Sequence, residues 1–122
     1  MKVLGVDDNP DILSFIQMIV EMMGHQFESA SGGQEGLDMI RNNQYDVVFL
    51  DLQMPEVTGI DVINALIDED KIQKQKVIMF TASYIHIDEN IKALAEAGHY
   101  MILQKPADVE EIMELIEAQN KK

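Results

Sequence analysis

Four short apolar runs, each delivering a polar residue at its end, constrain this chain more than any other feature. Val3-Leu4-Gly5-Val6 runs into Asp7-Asp8, and Val47-Val48-Phe49-Leu50 runs into Asp51. Val77-Ile78-Met79-Phe80 runs into Thr81, and Met101-Ile102-Leu103-Gln104 into Lys105-Pro106. Continuous apolar runs of this length suit strands buried on both faces, as in a parallel sheet covered by helices. Parallel strands of one sheet finish at a common edge, where open α/β sheets place their sites. Asp7, Asp8, Asp51, Thr81 and Lys105 then gather in one crevice. Carboxylates, a hydroxyl and an ammonium together make a metal and phosphoryl site.

Between these runs lie amphipathic stretches, and the alternation favours βαβ units over separate layers of helices and strands. A strand over 2–6 is followed by Asn9-Pro10, an N-cap with proline at the first helical position. Ile12, Ile16, Ile19, Val20 and Met23 share one face of a helix over 10–23, which Gly24 stops. His25-Gln26-Phe27-Glu28 forms a short, polar strand suited to a sheet edge. A helix over 33–42 opens at Ser31-Gly32-Gly33, with Leu37 and Ile40 inward. The 47–50 strand is separated by Pro55 to Gly59 from a helix over 60–70 carrying Ile63, Leu66 and Ile67. A strand over 76–80, a helix over 87–97 ending at Gly98 and a strand over 100–104 follow. Asp108 caps the last helix, Glu111 completes a capping box, and the chain frays from Ala118. Right-handed crossovers with the weak edge strand second give the order 2-1-3-4-5. The winding reverses between the first and third strands, the crevice where Asp7, Asp8 and Asp51 meet.

Length and composition bound the function. The 122 residues make one α/β domain spanning 1–122, and 47% apolar content supports a real core. No apolar run is long enough to span a bilayer. The opening residues Met1 to Asp8 turn acidic too soon for a secretory signal. The absence of cysteine removes disulfides and thiolate metal sites and fits a cytoplasmic protein. A formal charge of −13 argues against nucleic acid and against anionic membrane surfaces, both of which need clustered Lys and Arg.

The chemistry follows from the acidic group. Crowded carboxylates repel one another until a cation sits between them, and an oxygen-only donor set selects a hard divalent ion, most naturally Mg2+. An isolated Asp-Asp pair is ordinarily a solvated turn or cap; here a third aspartate at another strand end favours the metal reading. Asp51 is the candidate nucleophile, since a carboxylate can attack phosphorus and form an aspartyl phosphate. Lys105 and Mg2+ neutralise the charge of that product, and Thr81 donates its hydroxyl to a phosphoryl oxygen. His25, His86 and His99 fall away from the acidic group and read as surface or packing residues.

Asp7-Asp8, Asp51, the Met54-Pro55-x-x-x-Gly59 segment, Thr81-Ala82, Ala97-Gly98 and Lys105-Pro106, in this order and spacing, resemble the receiver domain of two-component response regulators over nearly the whole chain. The resemblance implies a flavodoxin-like (βα)5 fold with a five-stranded parallel sheet. It implies that Asp51 accepts a phosphoryl group from a phosphohistidine on a sensor histidine kinase or a histidine phosphotransfer protein. Asp8, Asp51 and the backbone carbonyl of Gln53 then bind Mg2+ directly, and Asp7 acts through water on the metal. Lys105 contacts the phosphoryl group, and Thr81 turns toward it. The chain departs from the family pattern at Ile102, where an aromatic residue is usual, and at Ala107, where phenylalanine is. It is expected to be a stand-alone phosphoacceptor rather than a classical enzyme, assisting its own phosphorylation and dephosphorylation and signalling to a protein target. A small aspartyl-phosphate phosphatase and a phosphate-independent binding module are the rival readings. Against the first stands the lack of an Asp-x-Asp nucleophile motif on the first strand.

Overall fold

The computed structural model describes residues 1–52, 54–69, 76–81, 100–105 and 107–120. In chain order the elements are β1 (Lys2–Val6), α1 (Pro10–Met22), β2 (Gln26–Ala30), α2 (Gly33–Asn42), β3 (Val47–Leu50), α3 (Gly59–Asp68), β4 (Lys76–Thr81), β5 (Tyr100–Gln104) and α4 (Val109–Asn120). The five strands form one sheet in the order β2-β1-β3-β4-β5, and every pairing is parallel. The sheet order is the one expected from the sequence, and the fold is flavodoxin-like. The helix expected over 87–97 lies outside the described residues. No described helix is long and apolar enough to cross a membrane.

Each strand's alternation divides the core in two. Leu4, Val6, Val48, Leu50, Val77 and Met79 pack on one face, against Leu37 and Ile40 of α2 and Val62, Ile63 and Leu66 of α3. Val3, Val47, Phe49, Ile78 and Phe80 face the other way, against Ile16, Ile19 and Val20 of α1 and Ile112 and Ile116 of α4. Side chains alternate across a strand, so a run apolar at every position must be covered on both sides. Full burial of side chains such as Leu4, Phe49 and Ile78 stabilises the fold by about 1.5–3 kcal/mol each. Phe49 and Phe80 meet edge to face, with ring centres 6.5 Å apart.

The helix ends show why the chain turns where it does. Asn9 accepts a hydrogen bond from the Asp11 N–H, and Pro10 occupies the first turn of α1. At the other end the His25 N–H reaches Val20 O and the Gly24 N–H reaches Glu21 O, with Gly24 at φ 84°. This paired closure needs a left-handed residue, the role glycine fills without steric cost. Thr58 and Asp61 cap α3 reciprocally, and Asp108 and Glu111 do the same before α4.

Three expectations change in detail. β2 extends to Ala30, which is buried and in register with Val6, so the edge strand outruns its polar beginning. α3 runs Gly59–Asp68 rather than 60–70, and of the apolar residues it carries Ile67 is exposed. α4 stays helical through Asn120, its last turn tied to β5 by Gln119 Nε2 donating to Met101 Sδ.

Candidate metal and phosphoacceptor site

Strand register brings the acidic residues together. Val6 of β1 pairs with Leu50 of β3, so Asp7 and Asp51 follow side by side at the carboxyl edge. The Asp51 N–H donates to Val6 O at 3.0 Å and the Asp7 N–H to Ala30 O at 3.1 Å, continuing the ladder one residue beyond the strands. Both carboxylates are recessed, Asp7 2% and Asp51 7% exposed, whereas Asp8 faces solvent. Asp7, Asp8 and Asp51 each offer an oxygen, all within 4.8 Å of one another.

Lys105, directly after β5, reaches across the edge into this group. Its Nζ lies 2.8 Å from Asp7 Oδ2 and 3.7 Å from Asp51 Oδ2, with the side chain 16% exposed. The ammonium also stands 5.3 Å from the centre of the Phe80 ring, whose π face attracts a cation. Asp7 Oδ1 accepts from the Asn9 N–H at 2.9 Å, the turn that starts α1. Both oxygens of Asp7 therefore have protein partners. Asp8 is the solvent-facing carboxylate of the three.

The donor set fits a hard divalent ion. Among the described residues three carboxylates face the Lys105 ammonium, an excess of negative charge, and all the side-chain donors are oxygens. Mg2+ asks for few protein oxygens and keeps several waters, which suits an edge open on the Asp8 side.

The remaining expected site residues are placed unevenly. Thr81 is the last residue of β4, in register with Gln104, immediately before Lys105. Gln53 lies outside the described residues, as do His86 and His99. His25 precedes β2 at the opposite sheet edge, with Nδ1 3.0 Å from the Met1 nitrogen. Sequence reasoning attached Lys105 to the phosphoryl group alone and missed its nearer partner, Asp7. It also missed Phe80 beneath the ammonium, whose signal was its position one residue before Thr81 in an otherwise aliphatic run.

Gly59, first residue of α3, shapes the segment leaving Asp51. A Cβ there would overlap the Asp51 carbonyl oxygen and lie 2.7 Å from Leu52 Cα. Only glycine allows α3 to begin this close to the strand that ends at Asp51.

Comparison with known proteins places this arrangement. A model of the response regulator receiver domain matches residues 3–117. The polar-differentiation response regulator DivK of Brucella anthropi is 29% identical over 117 residues, an alignment covering 96% of this chain and 94% of that protein. The receiver domain of a Francisella response regulator has a similar structure, with TM-score 0.83 and 30% identity, covering 98% of this chain and 96% of that one. The Vibrio cholerae chemotaxis protein CheY4 gives a TM-score of 0.80 at 25% identity, with 96% of each chain covered.

Proposed function

Since the chain belongs to the response regulator receiver domain family, we propose that it is a phosphoacceptor switch whose Asp51 takes a phosphoryl group from a phosphohistidine. The donor is a sensor histidine kinase or a histidine phosphotransfer protein, and the setting is the cytoplasm. The observation that carries this reading is the convergence of Asp7, Asp8 and Asp51 within 4.8 Å, with the Lys105 ammonium 3.7 Å from Asp51.

In the proposed reaction an Asp51 carboxylate oxygen attacks phosphorus as the phosphorus–nitrogen bond of the donor breaks. The departing imidazole keeps the bonding electron pair and takes up a proton. The aspartyl phosphate carries about two negative charges, so it needs cationic partners in place. Lys105 lies within reach of Asp51 and turns from Asp7 toward the new phosphoryl oxygens. Thr81, at the end of β4, gives its hydroxyl to another of them. Asp8, Asp51 and the Gln53 carbonyl would hold Mg2+, supported by Asp7, and the ion when bound would supply positive charge at the transferring group. Recessed Asp51 is shielded from bulk water, which favours a bond that outlives the encounter with the donor.

The product shifts a pre-existing equilibrium of a protein surface that includes β5 and α4, where a protein target docks. The site's own residues assist both formation and hydrolysis of the acyl phosphate. The test is the intact mass after incubation with a small phosphodonor and Mg2+. Wild type gains one phosphoryl group and Asp51→Asn gains none; an adduct that persists in Asp51→Asn contradicts the assignment.

A further inference from the structure

The segment leaving Asp51 is held on two sides. At its end the Gly59 N–H donates to Leu52 O at 3.2 Å, closing the loop on itself. On its outer side Gly33, the first residue of α2, lies against Val57. A Cβ at Gly33 would overlap the Val57 carbonyl oxygen and stand 2.9 Å from Val57 Cγ1. Among described glycines only Gly24 has a positive φ, so Gly33 is needed for space and not for its backbone conformation. Between the two contacts Glu56 sits at φ 64°, a left-handed conformation uncommon for a residue with a side chain. Met54, at the start of the loop, is buried in the core. The loop is thus anchored at Met54, closed at Gly59 and pressed by α2 at Val57.

We propose that Gly33 is a positioning residue for the phosphoacceptor site: its bare Cα lets α2 seat the loop that leaves Asp51 and returns at Gly59. The inference rests on the metal-binding reading above and names a residue on another element that tunes it. A methyl group at Gly33 must displace the Val57 carbonyl, because a backbone atom cannot rotate aside as a side-chain tip can. With Gly59 fixed against Asp51 and Leu52, the displacement is carried back along the loop toward Leu52 and Asp51. The cost then falls on metal affinity as well as on stability.

The experiment measures Mg2+ affinity by titration calorimetry on the full chain. Gly33→Ala is compared with wild type, and Gly33→Ala/Glu56→Gly with Glu56→Gly, since glycine at the strained position offsets lost stability and keeps the comparison folded. Ile116→Val, in the core on the opposite side of the sheet, supplies a control of lowered stability. Gly33→Ala is expected to weaken Mg2+ binding roughly tenfold in whichever pair is folded, the low end for residues supporting metal ligands. Ile116→Val leaves it unchanged. Without metal, the Gly59 amide exchanges hydrogen faster in Gly33→Ala, because its bond to Leu52 O loosens. An unchanged affinity in a folded Gly33→Ala pair, or an equal loss in Ile116→Val, refutes the positioning role. If wild type itself binds no Mg2+, the fault lies in the metal-binding reading instead.

Discussion

Lys105 has two acidic partners at unequal distances, 2.8 Å to Asp7 and 3.7 Å to Asp51, and this inequality carries a consequence for metal binding. A resident ammonium partly fills the electrostatic role of the divalent ion and competes with it for the same carboxylates. Lys105→Ala is therefore expected to bind Mg2+ several-fold more tightly, measured by calorimetry. The same variant forms the aspartyl phosphate more slowly, followed by intact mass, because the product loses its ammonium partner. Faster adduct formation in Lys105→Ala contradicts this division of roles. The acidic residues were legible in the sequence because strand ends announce themselves: an apolar run stops and a carboxylate follows. The choice of Lys105 between Asp7 and Asp51 was not, since it depends on side-chain reach between residues 98 positions apart. The packing of Gly33 on Val57 was also hidden. In sequence, Gly32-Gly33 reads equally well as an ordinary helix start.

At the scale of elements, boundaries were legible where caps are local and less so where tertiary contacts decide. Asn9-Pro10 and Asp108 to Glu111 announce their helices within four residues, and both close as read. The end of β2 depends on Ala30 pairing with Val6, a partner no local pattern names. Thr58 caps α3 beside the site, accepting from the Asp61 N–H at 3.2 Å and donating its own N–H to Asp61 Oδ2 at 3.0 Å. Thr58→Ala is expected to cost about 1 kcal/mol, read from the urea midpoint. A second device ties β2 to the loop before β3. The Tyr45 hydroxyl donates to Glu28 Oε1 at 2.7 Å, and Lys2 Nζ lies 3.2 Å from Glu28 Oε2. The Tyr45 hydrogen bond holds the Glu28 carboxyl below its ordinary value of 4.5, against burial as the next-largest effect and with a lesser contribution from Lys2. A depressed carboxyl contributes stability that is fully present above the ordinary value and is lost as pH falls through the lower folded value. Tyr45→Phe removes the largest cause. Its urea midpoint should lie below wild type at neutral pH, and the gap should narrow once pH drops below 4.5. A gap that stays constant through that range means that the hydroxyl's contribution does not depend on the charge of Glu28.

Over the whole molecule, 122 residues carry a formal charge of −13, so the folded state works against its own field. Two kinds of cation relieve that field by different routes. Monovalent salt screens exposed charges, so that at moderate ionic strength little repulsion survives beyond about 10 Å. Mg2+ additionally binds where carboxylate oxygens converge, and binding to the folded state alone stabilises by about 2.7 kcal/mol at a hundredfold excess over Kd. For a domain of this size that corresponds to a rise in Tm of the order of 10 °C. The two routes separate when Tm is compared at equal ionic strength in NaCl and in MgCl2. Asp8→Asn removes the solvent-facing carboxylate of the cluster. Asp68→Asn removes the same charge from the exposed end of α3. Both variants should respond alike to NaCl, because each has lost one unit of negative charge. Only Asp8→Asn should lose most of the extra rise in MgCl2. Equal Mg2+ responses in the two variants mean that the ion acts as a diffuse counter-charge, and the carboxylate cluster is then a consequence of acidity rather than a binding site.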